Sequence, residues 1–242
     1  MGWLDGIEKV LPVEKVYDDV ASPAFKEIGE AARNAVKASR FLLAPIDYLA
    51  AHHERWVGFL KRVSEKVPEE NLIPAHPQLA GPVFNGLRYL QEESLLAELF
   101  LNLLARAIDR ERASEAHPAF ATIISQLSPD EAQIIFYLNK QERILKQYSN
   151  YDSAKNLFGR RETLQNDFPL EKLLFPQNYL MYTDHLHSLN LAGIWQSGNQ
   201  DATFINNVQS GVNITSYARL TPFGNLFATA CLPESVDGFN AL

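Results

Sequence analysis

The sequence predicts a mainly α-helical protein: a helical amino-terminal domain followed by a winged-helix-like carboxy-terminal module with a short β-hairpin. Three observations carry this expectation. Apolar residues recur at one-helical-turn intervals from Leu95 to Ile108. His117-Pro118 and Ser128-Pro129 have the composition of helix starts. Beyond about Asn150, a helical pattern, two short alternating segments and a last helical pattern follow one another. With 242 residues and 46% hydrophobic content, the chain can bury a substantial core in one or two domains without metals or disulfides.

The elements divide into an amino-terminal arm or docking helix at 1–22, a helical domain at 23–127 and the winged module at 128–242. In the arm, Trp3, Leu4, Ile7, Val10 and Leu11 have helix-like spacing, and Pro12 limits its continuation. Ser22-Pro23 reads as an N-cap and first-turn proline opening a long helical region to about Lys66, with Pro45 kinking or dividing it. Residues 71–82 hold three prolines and a glycine and read as a turn-rich connection.

Next comes the clearest amphipathic helix. Leu95, Leu96, Leu99, Phe100, Leu103, Leu104, Ala107 and Ile108 share a stripe, while Glu98, Arg106 and Asp109 occupy other angles. Burying each large member contributes about 1.5–3 kcal/mol before entropy costs, which places this helix at the centre of the core. Ser128 and Glu131 have capping-box spacing at the start of a further helix. In the module, 180–191 reads as a helix, Gly193-Ile194-Trp195 as a strand, 197–211 as a polar tip and 213–220 as a second strand. Thr221-Pro222 then opens a last helix to about Cys231.

Charge and composition narrow the function classes. A formal net charge of −7 gives no global attraction to nucleic acid or anionic lipid, so such binding requires a local patch. A winged helix invites a DNA-binding reading, yet no Lys or Arg occurs between Leu173 and Ala218, the stretch that would supply recognition helix and wing. DNA is therefore disfavoured as a partner. The start of the chain lacks the basic flank, apolar centre and cleavage site of a signal peptide, and no window reaches the roughly 20 apolar residues of a spanning helix. A cytoplasmic protein is expected. The single cysteine, Cys231, fits a reducing compartment and reads as a small apolar core residue.

No catalytic, cofactor or metal site is expected. Neighbours two apart on a helix point roughly 200° apart, so His185 and His187 cannot readily grip one ion, whereas Asp184 and His187 have the spacing of a hydrogen-bonded pair. His52-His53 has the same defect, and His76 is isolated. His117 lacks a nucleophile or carboxylate at recognisable spacing and reads as a turn anchor before Pro118. Phosphate-loop, His-Glu-x-x-His and Gly-x-Ser-x-Gly motifs are missing.

Two surfaces remain as candidates. Phe41, Leu42, Leu43, Ile46, Tyr48 and Leu49 form an apolar stretch flanked by Arg33, Lys37 and Arg40 before it and Arg55, Lys61 and Arg62 after it. A buried hairpin around Pro45 is the favoured reading of this pattern, and contact with a membrane surface or a partner is the alternative. In the module, Trp195, Asn199, Gln200, Phe204 and Tyr217 combine aromatic rings with amides in a base-free surrounding, which suits protein recognition better than phosphate binding.

Several phrases carry a family resemblance. They are Ile73-Pro74, Leu79-Ala80-Gly81-Pro82, Leu99-Phe100-Leu101-Asn102-Leu103-Leu104-Ala105, Ala116-His117-Pro118-Ala119-Phe120 and Leu127-Ser128-Pro129-Asp130-Glu131-Ala132, joined by Leu43-Ala44-Pro45-Ile46 and Leu220-Thr221-Pro222-Phe223-Gly224. In this order the chain resembles the abortive-infection-alpha family over about 23–231. The resemblance implies defence against bacteriophage and supplies no reaction. The leading expectation is a non-enzymatic effector or sensor that contacts an unknown bacterial or phage protein. One alternative is a membrane-active effector that stays soluble until infection frees the 41–51 region. A second is a nucleic-acid-binding regulator, and self-association into a homo-oligomer is compatible with each.

Overall fold

The computed structural model describes residues 53–239. The arm at 1–22, most of the first long helical region with Pro45, and Phe41, Leu42, Leu43, Ile46, Tyr48 and Leu49 lie outside the described residues. The described residues form two compact units that divide between Ser125 and Gln126.

Among the described residues, the first unit holds the helices α1 (His53–Ser64), α2 (Pro77–Leu87), α3 (Leu95–Ile108) and α4 (Ala119–Ile124). Helix α3 is the expected core helix, capped by the Ser94 hydroxyl, which accepts from Ala97 N at 3.2 Å. It is more deeply enclosed than a one-stripe helix, because Leu101 and Ala105 are buried as well as the predicted face, of which only Leu96 is half-buried. Glu98 is buried too. Arg62 and Lys66 both reach its carboxylate, Lys66 Nζ at 2.7 Å, and supply the pairing that a buried charge requires.

The turn-rich connection expected over 71–82 is corrected in its second half, where α2 begins at Pro77. His76 caps this helix, its Nδ1 accepting from Gln78 N at 3.3 Å, and Pro77 sits in the first turn, where a missing N–H costs nothing. Pro82 removes one interior hydrogen bond, but Leu79, Ala80, Val83 and Leu87 still fall on one buried face. Gly86 is where α2 meets α3: any Cβ there would collide with the Phe100 ring.

The second unit overturns the mainly α expectation. Helices α5 (Pro129–Lys140), α6 (Tyr179–Ser188) and α7 (Pro222–Cys231) accompany a curled, six-stranded antiparallel sheet, so the fold combines α and β structure and is not a winged helix with one short hairpin. Its strands are β1 (Arg143–Asp152), β2 (Leu157–Phe158), β3 (Glu162–Asn166), β4 (Ala192–Gln196), β5 (Asp201–Ile205) and β6 (Val208–Leu220). Two long hairpins lie side by side. Each has a continuous inner strand, β1 or β6, and an interrupted outer one, β2 with β3 or β4 with β5. The inner strands pair from Arg143↔Ala218 to Asn150↔Gly211.

Sequence patterning missed β1, β2, β3 and β5 because their alternation is not apolar. On the buried face of β1, Leu145 is followed by Gln147 and Ser149, and every residue of β3 except Asn166 is exposed. The supposed polar tip at 197–211 contains β5 and a two-residue turn, Asn206-Asn207, with both φ positive at 50° and 62° as a type I′ hairpin demands.

The helix starts follow their predicted chemistry. Ser128 and Glu131 form the full capping box: Ser128 N donates to Glu131 Oε2 at 2.7 Å and Glu131 N to Ser128 Oγ at 3.3 Å. Ser128→Ala should lower stability by about 1 kcal/mol in urea denaturation. His117 Nδ1 accepts from Ala119 N at 3.2 Å, the turn-anchoring role expected of it. Cys231 is fully buried, and burial pushes its thiol pKa well above the usual range.

Candidate functional site

The sheet has two unequal faces. One holds Leu145, Gln147, Ser149, Val212, Ile214, Ser216 and Ala218, all buried, and the helices α5 and α7 pack on β6. Across the antiparallel register, the other face carries Ile144, Lys146 and Tyr148 on β1, Thr215 and Tyr217 on β6, and Trp195 on β4. Apart from the exposed Lys146, these side chains are half-buried.

Trp195 and Tyr217 are direct cross-strand partners, so the structure brings these two predicted residues together. Two neighbours that sequence reasoning did not select complete the group. The Arg219 guanidinium lies 5.3 Å from the Trp195 ring centroid, and the His187 ring meets Trp195 edge-on at 5.8 Å. Gly193 makes this closure possible, since a Cβ there would sit 2.8 Å from both His187 Nδ1 and Trp195 Cη2. Period-two alternation from Tyr217 to Arg219 was the available signal for the arginine. Nothing in the sequence announced His187, because its contact depends on how α6 turns into β4.

Asn199 and Gln200 are exposed in the break between β4 and β5. Here Ser197 N donates to Thr215 O at 2.8 Å, Gln196 Nε2 to Gly198 O at 3.0 Å, and Gln200 Nε2 to Gln196 Oε1 at 3.2 Å. Gly198 takes a φ of 69°, the left-handed conformation that the bend requires. Phe204 is not part of this group. It pairs with Gln209, eight positions along β6 from Tyr217 or about 26 Å of strand, and the register shift between Thr203 and Phe204 leaves it on the opposite face.

The histidines of α6 diverge, as their spacing requires. His187 goes to Trp195, so the Asp184–His187 pair is not formed. His185 Nδ1 lies 2.5 Å from Oε1 of the buried Glu131. Ser128 Oγ donates to the other oxygen, Oε2, at 2.8 Å. Serine and histidine thus both attach to the carboxylate and not to each other, so this group lacks the serine-to-histidine hydrogen bond of a nucleophilic relay. It ties the start of α5 to α6. Beside it, Asp130 accepts from Leu174 N at 2.7 Å and Phe175 N at 2.9 Å. Among the described residues, no group of three or more His, Cys, Asp or Glu is placed to hold a metal ion, and no helix is long and apolar enough to cross a membrane.

The family model described as abortive infection alpha matches residues 51–231, and the chain belongs to this family. That membership points to abortive infection, a form of defence against bacteriophage. No curated protein and no solved structure matches the chain.

Proposed function

We propose that this member of the abortive infection alpha family is a non-enzymatic effector or sensor of phage defence, acting through a protein contact on the open face of its sheet. The observation that carries the reading is the Trp195–Tyr217 pair flanked by Arg219 and His187, with the exposed amides of Asn199 and Gln200 in the adjoining break. Trp, Tyr and Arg are the residue types that dominate binding energy at protein interfaces, and amides at the margin supply adaptable hydrogen bonds. The rings are already fixed by cross-strand pairing and by the closure over Gly193, so little ordering cost falls on binding. The partner is a bacterial or phage protein.

Asn199→Lys with Gln200→Lys should leave folding nearly unchanged, both side chains being exposed, and should impair protection against phage. The comparison is plating efficiency at matched protein levels, with a urea melt as the folding control. Full protection by a folded variant counts against the contact. Capture of partners from infected and uninfected cells separates a sensor, whose partner appears on infection, from a constitutive scaffold.

A further inference from the structure

The inner strands run so that both hairpin tips fall at one end of the sheet: β1 leads into the turn at 153–156, and β6 leads out of Asn206-Asn207. That end carries an unusual concentration of exposed apolar side chains. Leu157 and Phe158 are 60% and 53% exposed on the first tip, and Phe204, Ile205 and Val208 are 64%, 66% and 55% exposed on the second. Both tips are held in shape. Asp152 Oδ1 accepts from Ala154 N and Lys155 N, Tyr151 Oη donates to Asn156 Oδ1 at 2.6 Å, and the Tyr151 and Phe158 rings lie 4.8 Å apart.

The unpaired charge nearest the tips is cationic. Arg160 and Arg161 are exposed and make no ion pair among the described residues, whereas Lys155 is paired with Asp152 at 3.4 Å. Two acids, Glu162 on β3 opposite Tyr148 and Asp201 on β5 opposite Asn213, lie one level further into the sheet, and 202–212 between Asp201 and Asn213 holds no charged residue. The overall charge of −7 is screened within about 10 Å at moderate salt, which leaves a local cationic site free to act.

We propose that this end of the sheet docks on an anionic membrane surface, the tip side chains entering the interfacial layer and Arg160 and Arg161 meeting lipid headgroups. Two features favour a bilayer over a protein partner. By alternation, Phe158 and Phe204 project on the helix-covered side and Leu157, Ile205 and Val208 on the other, so covering them together requires a medium that surrounds both faces. The five side chains expose on the order of 500 Å², below the roughly 800 Å² per partner of a stable protein interface, while a bilayer has no such threshold. Docking of this kind is peripheral and reversible, and is independent of the protein contact proposed at Trp195.

The test is flotation of the full-length protein with phosphatidylcholine vesicles, with and without phosphatidylglycerol. Wild type should float with the anionic vesicles and lose binding as salt rises. Phe204→Ala with Ile205→Ser should weaken it at least about tenfold. Arg160→Gln with Arg161→Gln should weaken it about 25-fold, at roughly fivefold per cation, and abolish the salt dependence. These positions are exposed, so unchanged near-ultraviolet dichroism is expected, and Asn199→Lys with Gln200→Lys should float as wild type does. Absence of wild-type flotation overturns the proposal. Equal flotation of the tip variants also overturns it, by placing lipid binding elsewhere in the chain, as does a tip variant that loses a co-purifying protein and no lipid.

Discussion

Gly224→Ala is expected to destabilise the carboxy-terminal unit by about 3 kcal/mol, although the same exchange in a helix normally stabilises by 0.5–1 kcal/mol. The reversal comes from one close approach. A Cβ on Gly224 would overlap the Leu191 carbonyl oxygen and lie 2.8 Å from its carbonyl carbon. That carbonyl has no freedom to retreat, because it accepts from Thr221 N at 2.9 Å, and Thr221 Oγ1 in turn caps α7 by accepting from Gly224 N at 2.8 Å. Adding one methyl group therefore pushes α7 off its own cap. Gly81→Ala supplies the opposite sign: Gly81 lies inside α2 with nothing within 4 Å of an added Cβ, so that variant should be unchanged or slightly more stable. Urea denaturation of the two variants beside wild type checks both signs, and equal stability of Gly224→Ala and wild type would remove the argument.

The same cap shows which parts of the molecule were legible in the sequence. Thr221-Pro222 and Ser128-Pro129 announce helix starts because capping is local: the hydroxyl, the proline and the amides they serve lie within four residues. Helix α3 was legible for a related reason, its apolar period of 3.6 persisting for fourteen residues. The sheet was not, because β1 is defined by β6, more than sixty positions away, and its buried face mixes Leu145 with Gln147 and Ser149. A strand whose inner side chains are polar has no period-two signature to read. Residues 71–82 failed in the opposite direction. Proline count suggested a loop, while His76 and Pro77 are a cap and a first turn, and the four buried positions of α2 outweigh the one bond lost at Pro82. The candidate surface was half legible. Trp195 and Tyr217 meet because two predicted strands pair, whereas Phe204 separates from them because the break at 197–200 and the turn at 206–207 set its distance and face.

Asp130→Ala should cost about 2–4 kcal/mol, more than Ser128→Ala two positions earlier, although both residues look like ordinary helix-start chemistry. An acid in the first turn of a helix gains only about 0.3–1 kcal/mol from the helix dipole. Asp130 does something the sequence does not show. It is 2% exposed, and its two oxygens each accept a backbone N–H from a segment more than forty residues away, Leu174 and Phe175. Truncation leaves both amides without an acceptor, at roughly 1–3 kcal/mol for each group kept from water. The exposed side chains of Leu174 and Phe175 let some water reach those amides, so the sum falls in the lower part of that range. Asp130→Asn retains one acceptor oxygen and turns an NH2 toward the other amide, so it should recover no more than about half of the loss. Hydrogen exchange is the discriminating measurement: the Leu174 and Phe175 amides should lose protection together in the alanine variant, and one of them should keep it in the asparagine variant. If both remain protected in Asp130→Ala, the clasp is not what holds this segment. The segment leads directly into α6, whose His187 closes over Gly193 and Trp195, so a loosened clasp should reach the proposed contact surface before it unfolds the unit.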